Sequence, residues 1–134
     1  MTTRRLGGWL AGVSIVALAA VAGAQAPPPP LKTMTVNGLG AVLAGPSGMT
    51  LYVYINDREP GKSVCTGTCE GNWPPFRPGS TDPAPQDPLS VISRLDTSKQ
   101  YAYKGKPLYY AKTDKKPGDT TGHKFRDFWL VAQP

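Results

Sequence analysis

The chain has 134 residues, enough for one compact domain. Its 15 basic residues outnumber the 9 acidic ones, but they are scattered rather than massed, which argues against a nucleic-acid-binding surface. One histidine and two cysteines are too few for a zinc site of the usual ligand spacing.

Met1 to Ala24 reads as a signal peptide. Arg4 and Arg5 form a positive start, residues 6–20 form an apolar stretch, and Ala22-Gly23-Ala24 supplies the small residues a leader peptidase requires. A retained membrane anchor is the competing reading, and the apolar run is short for one. Arg4-Arg5 leaves general and twin-arginine export both open. Removing the leader leaves 13 basic residues against 9 acidic, a net charge of +4. No stable membrane anchor is expected afterwards, because no cysteine stands near the cleavage site for lipid attachment. The expected location is periplasmic or extracellular.

Residues 25–33 contain Pro27 to Pro30 and read as an extended polyproline spacer. The domain proper is expected over 34–134. Met34 to Val36 and Ala41 to Ala44 are short strand candidates, separated from the next by the turn signal Gly45-Pro46-Ser47-Gly48. Thr50 to Ile55 is the clearest strand, rich in β-branched and aromatic residues. Pro78 to Pro88 is a surface loop. Leu89 to Leu95 fits either a strand or one helical turn. Lys104-Gly105-Lys106 joins two Tyr-rich runs as a hairpin, and Phe128 to Val131 is the last strand. No segment shows helical periodicity.

The chain repeats itself at a constant offset of 57 residues. Gly48, Leu51, Tyr52, Asp57, Pro60 and Gly61 recur as Gly105, Leu108, Tyr109, Asp114, Pro117 and Gly118. Trp73 and Trp129 close the two copies, which span about 41–76 and 100–132. The expectation is an all-β fold, a small antiparallel β-sandwich or meander of two pseudo-symmetric repeats that pack their aromatic faces together.

These residues resemble a bacterial exported family, the "secreted repeat of unknown function", also described as predicted lipoproteins with a Yx(F/W/Y)xxD motif. Tyr52-Val53-Tyr54-Ile55-Asn56-Asp57 matches that motif in full. Cys65-Thr66-Gly67-Thr68-Cys69 with Trp73-Pro74-Pro75 resembles a second element. Gly105 to Tyr109, Asp114, Pro117 to Asp119 and Trp129 to Val131 resemble the family's second half. The chain departs from the pattern twice: Ala111 stands where the second copy's middle aromatic belongs, and the lipid-attachment cysteine is missing. The resemblance implies an envelope location and a repeat architecture, and no reaction.

Each candidate site has a structural and a functional reading. Cys65 and Cys69 are expected to form a disulfide in an oxidising compartment, with the chain turning at Gly67. The alternative is a redox pair or a Cu(I) site drawing on Cys65, Cys69, His123 and Met49, with Met34 also in the chain. His123, in a polar loop, otherwise needs no role. Asp57 and Asp114 are expected to cap backbone N–H groups of the turns that follow them; the alternative is a Ca²⁺ site completed by Asn56 and Asp119. The tyrosines, Tyr54, Tyr103 and Tyr110 among them, pack between repeats or form an exposed ladder for a glycan, a haem or a partner strand. No nucleophile motif, phosphate loop or dinucleotide fingerprint is present, so no enzyme is expected and no cofactor is required. The leading expectation is a non-catalytic envelope module that binds an unknown ligand or protein through its aromatic face. The alternative is a copper-handling or redox accessory protein, and a hydrolase ranks third.

Overall fold

The computed structural model describes residues 2–3, 7–17 and 26–134. Arg4, Arg5 and the cleavage residues Ala22-Gly23-Ala24 of the expected leader lie outside the described residues. Residues 7–17 take no regular secondary structure and are exposed, Trp9 by 99 % and Leu10 by 100 %. Among the described residues no helix is long and apolar enough to cross a membrane.

Packing begins at Leu31, which is 5 % exposed. The proline stretch read as a spacer over 25–33 therefore yields its last three residues to the fold, because an apolar Leu31 buries and the first strand follows at once. In chain order the elements are β1 (Lys32–Val36), β2 (Gly40–Ala44), β3 (Tyr52–Tyr54), α1 (Thr68–Asn72), β4 (Leu89–Ser93), β5 (Lys99–Tyr103), β6 (Lys106–Pro107) and β7 (Trp129–Val131), with a 3-10 turn over Phe125–Asp127 before β7. Every pairing is antiparallel: β1 with β2, β3 with β7, and β4 with β5 with β6.

The ambiguous segment at Leu89 is a strand, paired Leu89↔Tyr103. The hairpin at Lys104-Gly105 has φ of 50° and 79°, the left-handed pair that a two-residue turn matched to strand twist requires. The long strand read over 50–55 is regular only over its middle, and Thr50 reaches Ala44 through a single bridge. One helix does form where the sequence suggested only a tight loop. Gly67, with φ of 61°, reverses the chain, after which Gly71 N–H donates to Gly67 O and Trp73 N–H to Cys69 O.

The three small sheets are joined at the centre. Tyr52 N–H donates to Tyr109 O (2.8 Å) and Tyr109 N–H to Tyr52 O (3.0 Å). These two bonds between equivalent residues form the pseudo-twofold axis. Tyr52 also pairs with Val131, and Tyr109 with Pro75, so the strand after each tryptophan crosses over to the motif strand of the other copy.

Alternation along the motif strands then divides the core in two. Leu51 and Leu108 face one side with Leu43, Phe76, Tyr101 and Ala132. Tyr52 and Tyr109 face the other with Val42, Ala111 and the two tryptophans. Each cluster draws equivalent residues from both copies. Leu51 and Leu108 are both 0 % exposed. Truncating either to Ala is expected to cost about 2–5 kcal/mol in denaturant unfolding. A near-zero loss at only one of them would break the equivalence of the two halves.

Candidate functional site

The motif residues assemble around the axis, and their partners are exchanged. Tyr52 Oη donates to Asp114 Oδ2 at 2.7 Å, and Tyr109 Oη donates to Asp57 Oδ2 at 2.6 Å. The tyrosine of each copy thus holds the aspartate of the other. The second carboxylate oxygen caps backbone seven residues further on. Val64 N–H donates to Asp57 Oδ1 at 2.7 Å, and Thr121 N–H donates to Asp114 Oδ1 at 3.0 Å. The capping role expected for both aspartates is present, on a longer loop than the Pro-Gly turn alone.

The two centres differ in what surrounds them. At the first, Ser63 Oγ donates to Tyr109 Oη (2.6 Å), since the tyrosine's own proton goes to Asp57. Arg94 Nη1 donates to Ser63 Oγ (2.9 Å) and Gln100 Oε1 (2.6 Å), and Arg94 Nη2 donates to Cys65 O. Arg94 is 5 % exposed, and its charge is met by Glu70 at 3.3 Å. At the second, Gly122 N–H donates to Tyr52 Oη at 3.3 Å, and Thr121 Oγ1 donates to Asp114 Oδ1 at 2.6 Å. Burial, and then hydrogen bonding to the facing carboxylate, raises both phenols above their ordinary pKa. Burial also raises the Asp57 carboxyl, against the opposing pull of Tyr109, the Val64 N–H and the Arg94 charge.

Beside this centre lies a groove of about 590 Å³. Three rings stack in its wall. Tyr54 lies on Trp129 (4.4 Å between centroids, 16°), and Trp129 lies on Trp73 (3.8 Å, 5°). Phe125 tilts against Trp73 at 5.8 Å, and Phe128 meets Tyr54 edge-on at 6.5 Å. Phe125 and Phe128 remain 45 % and 44 % exposed. Gly122 admits this packing, since a Cβ there would stand 2.5 Å from Trp73 Cη2. The loop carrying the two phenylalanines holds Lys124, Arg126 and Asp127 at φ of 61°, 49° and 60°, the left-handed region that costs non-glycine residues about 1–2 kcal/mol each.

The tyrosines do not form an exposed ladder. Tyr52, Tyr101, Tyr103 and Tyr109 are buried, and Tyr54 and Tyr110 are half-buried against the core. Burial, with the Asp82 charge adding to it, pushes the Tyr110 phenol up to about 12. Within the packed domain the exposed aromatic rings are instead Phe125 and Phe128, which line the groove. Cys65 and Cys69 are joined in a disulfide, Cα to Cα 5.2 Å, so neither offers a thiolate to a soft metal. His123 Nδ1 accepts the Val131 N–H at 3.1 Å, and Met49 lies in the turn that follows β2. Carboxylate oxygens proposed for calcium are likewise engaged: those of Asp57 and Asp114 as above, and Asp119 Oδ2, which accepts the N–H groups of Lys115 (2.8 Å) and Lys116 (3.1 Å). Among the described residues no group of three or more His, Cys, Asp or Glu is placed to hold a metal.

Sequence reasoning missed Arg94, Gln100 and Ser63, and it missed the exchange of partners. An arginine inside the apolar run from Leu89 to Leu95 was the one available signal. It also missed Phe125 and Arg126, which sit in a polar loop without periodicity.

Tyr52→Phe and Tyr109→Phe each remove a donor and leave a carboxylate oxygen unpaired beside the core. Each is expected to lower unfolding free energy by about 1–3 kcal/mol. A loss confined to one of them would mean that only one cross-pair carries stability. His123 yields a pH effect. Burial, and then the Lys124 charge, lowers its pKa, so the unfolded chain takes up a proton more readily. Its contribution is present above the unfolded value of about 6.5 and is lost as pH falls through the folded one. In paired denaturant titrations, His123→Gln is expected to gain on the wild type as the medium is acidified. A constant difference across that range would refute this account.

Residues 33–77 and 90–133 both match the family described as "secreted repeat of unknown function", and the two matched stretches begin 57 residues apart. No curated protein and no solved structure matches the chain. With two copies of the family's unit across most of its length, the chain belongs to the secreted repeat family of unknown function.

Proposed function

We propose that this protein is an exported, non-catalytic binding module, periplasmic or extracellular, that holds a small ligand with a flat apolar part in the groove beside Trp73 and Trp129. Membership of a secreted family supports export. So does the apolar stretch over 7–17, which lies exposed and outside the core, as a removable leader would. The observation that carries the binding reading is the pair of half-exposed rings, Phe125 and Phe128, held over a groove of ligand size by a left-handed loop. Strained backbone clusters at ligand clamps, and ligand pockets are concave and lined mostly by apolar and aromatic side chains with a few polar groups, as this groove is. The polar centre behind the groove supports a non-catalytic reading, because its hydroxyls and carboxylates are spent on one another.

Two measurements test this. Amino-terminal sequencing of protein recovered from the periplasm is expected to begin at Gln25; a chain still carrying Met1 in the membrane fraction would refute cleavage. The neutral aromatic dye N-phenyl-1-naphthylamine is expected to bind the exported protein saturably, one per chain. Phe125→Ala with Phe128→Ala is expected to weaken it at least tenfold with the melting temperature little changed, since both rings are half-exposed. Absence of saturable binding, or binding indifferent to the double substitution, would overturn the groove reading.

A further inference from the structure

The pseudo-twofold relates Tyr54 to residue 111, and Trp129 to Trp73. On the first side Tyr54 stacks on Trp129. The mate of that contact would be a ring at 111 lying on Trp73, but the second copy carries Ala111 there. The stack therefore has three rings, and its Trp73 end is closed by Phe125 and by the buried Ala111, so the aromatic surface the groove leaves open is that of Phe125 and Phe128. Lys112 and Thr113, which follow Ala111 directly, line the groove together with Trp73.

The charge of the groove is one-sided. Lys112 and Arg126 line it, and no aspartate or glutamate does. Both cations are exposed, and Arg126 sits over the Phe125 ring at 5.3 Å. The Asp114 carboxylate is buried behind Thr121, its oxygens accepting three hydrogen bonds, and does not line the groove.

We infer that the groove takes a planar aromatic anion, whose ring packs against the half-exposed Phe125 and Phe128 and whose negative charge is met by Lys112 and Arg126. This rests on the binding reading above and names the ligand's chemistry. Ring stacking supplies shape selection, because offset-stacked aromatics gain beyond their buried area. The two cations supply charge selection, and at an exposed rim their attraction is screened by salt.

Three probes separate the parts of the claim: 1-anilinonaphthalene-8-sulfonate, an aromatic anion; N-phenyl-1-naphthylamine, its neutral counterpart; and octyl sulfate, an anion without a ring, read by displacement. The exported protein is expected to bind the aromatic sulfonate at least tenfold more tightly than either of the others. That preference is expected to shrink in high salt and to vanish in Lys112→Gln/Arg126→Gln, two surface changes that leave the core intact. Equal affinity for the neutral dye would overturn the charge assignment while leaving the groove standing. Equal affinity for octyl sulfate would overturn the stacking assignment. Failure of all three probes would overturn the binding reading itself.

Discussion

Everything in this fold hangs on the exchange of partners across the pseudo-twofold axis. Tyr52 and Tyr109 share two backbone hydrogen bonds, and each phenol reaches into the loop of the other copy to hold its aspartate. A single copy contains both halves of the motif and can satisfy neither. Its tyrosine would point at nothing, and its aspartate would keep one oxygen unpaired. Because buried polar groups are costly when unmatched, two copies in one chain are the smallest unit that closes the account. The crossing strands obey the same logic, since the segment after each tryptophan completes the sheet of the opposite copy.

The same arrangement explains why the motif spaces tyrosine and aspartate as it does. Asp57 and Asp114 must stand beyond the strand end, where one carboxylate oxygen meets the tyrosine from across the axis and the other caps a loop N–H seven residues on. A shorter side chain or a neutral one would lose one of the two. The motif is thus a structural device, repeated because its two ends are needed twice.

Much of this was legible in the sequence, and the parts that were not have a physical reason. The constant offset of equivalent glycines, leucines and tyrosines announced two copies, and alternation in Leu51-Tyr52 and Leu108-Tyr109 announced two faces. The hairpin at Lys104-Gly105 followed from the turn chemistry that glycine permits. An offset records equivalence, however, and is silent on pairing, since Tyr52 bound to Asp57 and Tyr52 bound to Asp114 leave the same pattern. Arg94 was equally invisible. Its burial depends on Ser63, Gln100, Glu70 and the Cys65 carbonyl, which converge only after the chain has folded. The short helix over Thr68–Asn72 is too brief for periodicity to register; the disulfide and the reversal at Gly67 hold it, rather than propensity.

The departures from symmetry matter as much as the symmetry. At 64 and 65 the first copy has Val64 and Cys65; the second has Thr121 and Gly122. The first loop is therefore braced by a disulfide and a buried arginine whose Nη2 binds the Cys65 carbonyl. The second loop has no such brace. It closes with the bare backbone of Gly122, which lets Trp73 approach within a distance no Cβ would tolerate. The tyrosine of the first copy becomes Ala111 in the second, removing a ring from beside that same tryptophan. Both changes fall beside Trp73, which stays buried at 7 % exposure because the Gly122 backbone, Phe125 and Ala111 close around it. The two loops thus reach the same end by different means: the first is held by covalent and charged braces, the second by backbone packed directly on the Trp73 ring, and the groove opens on the second.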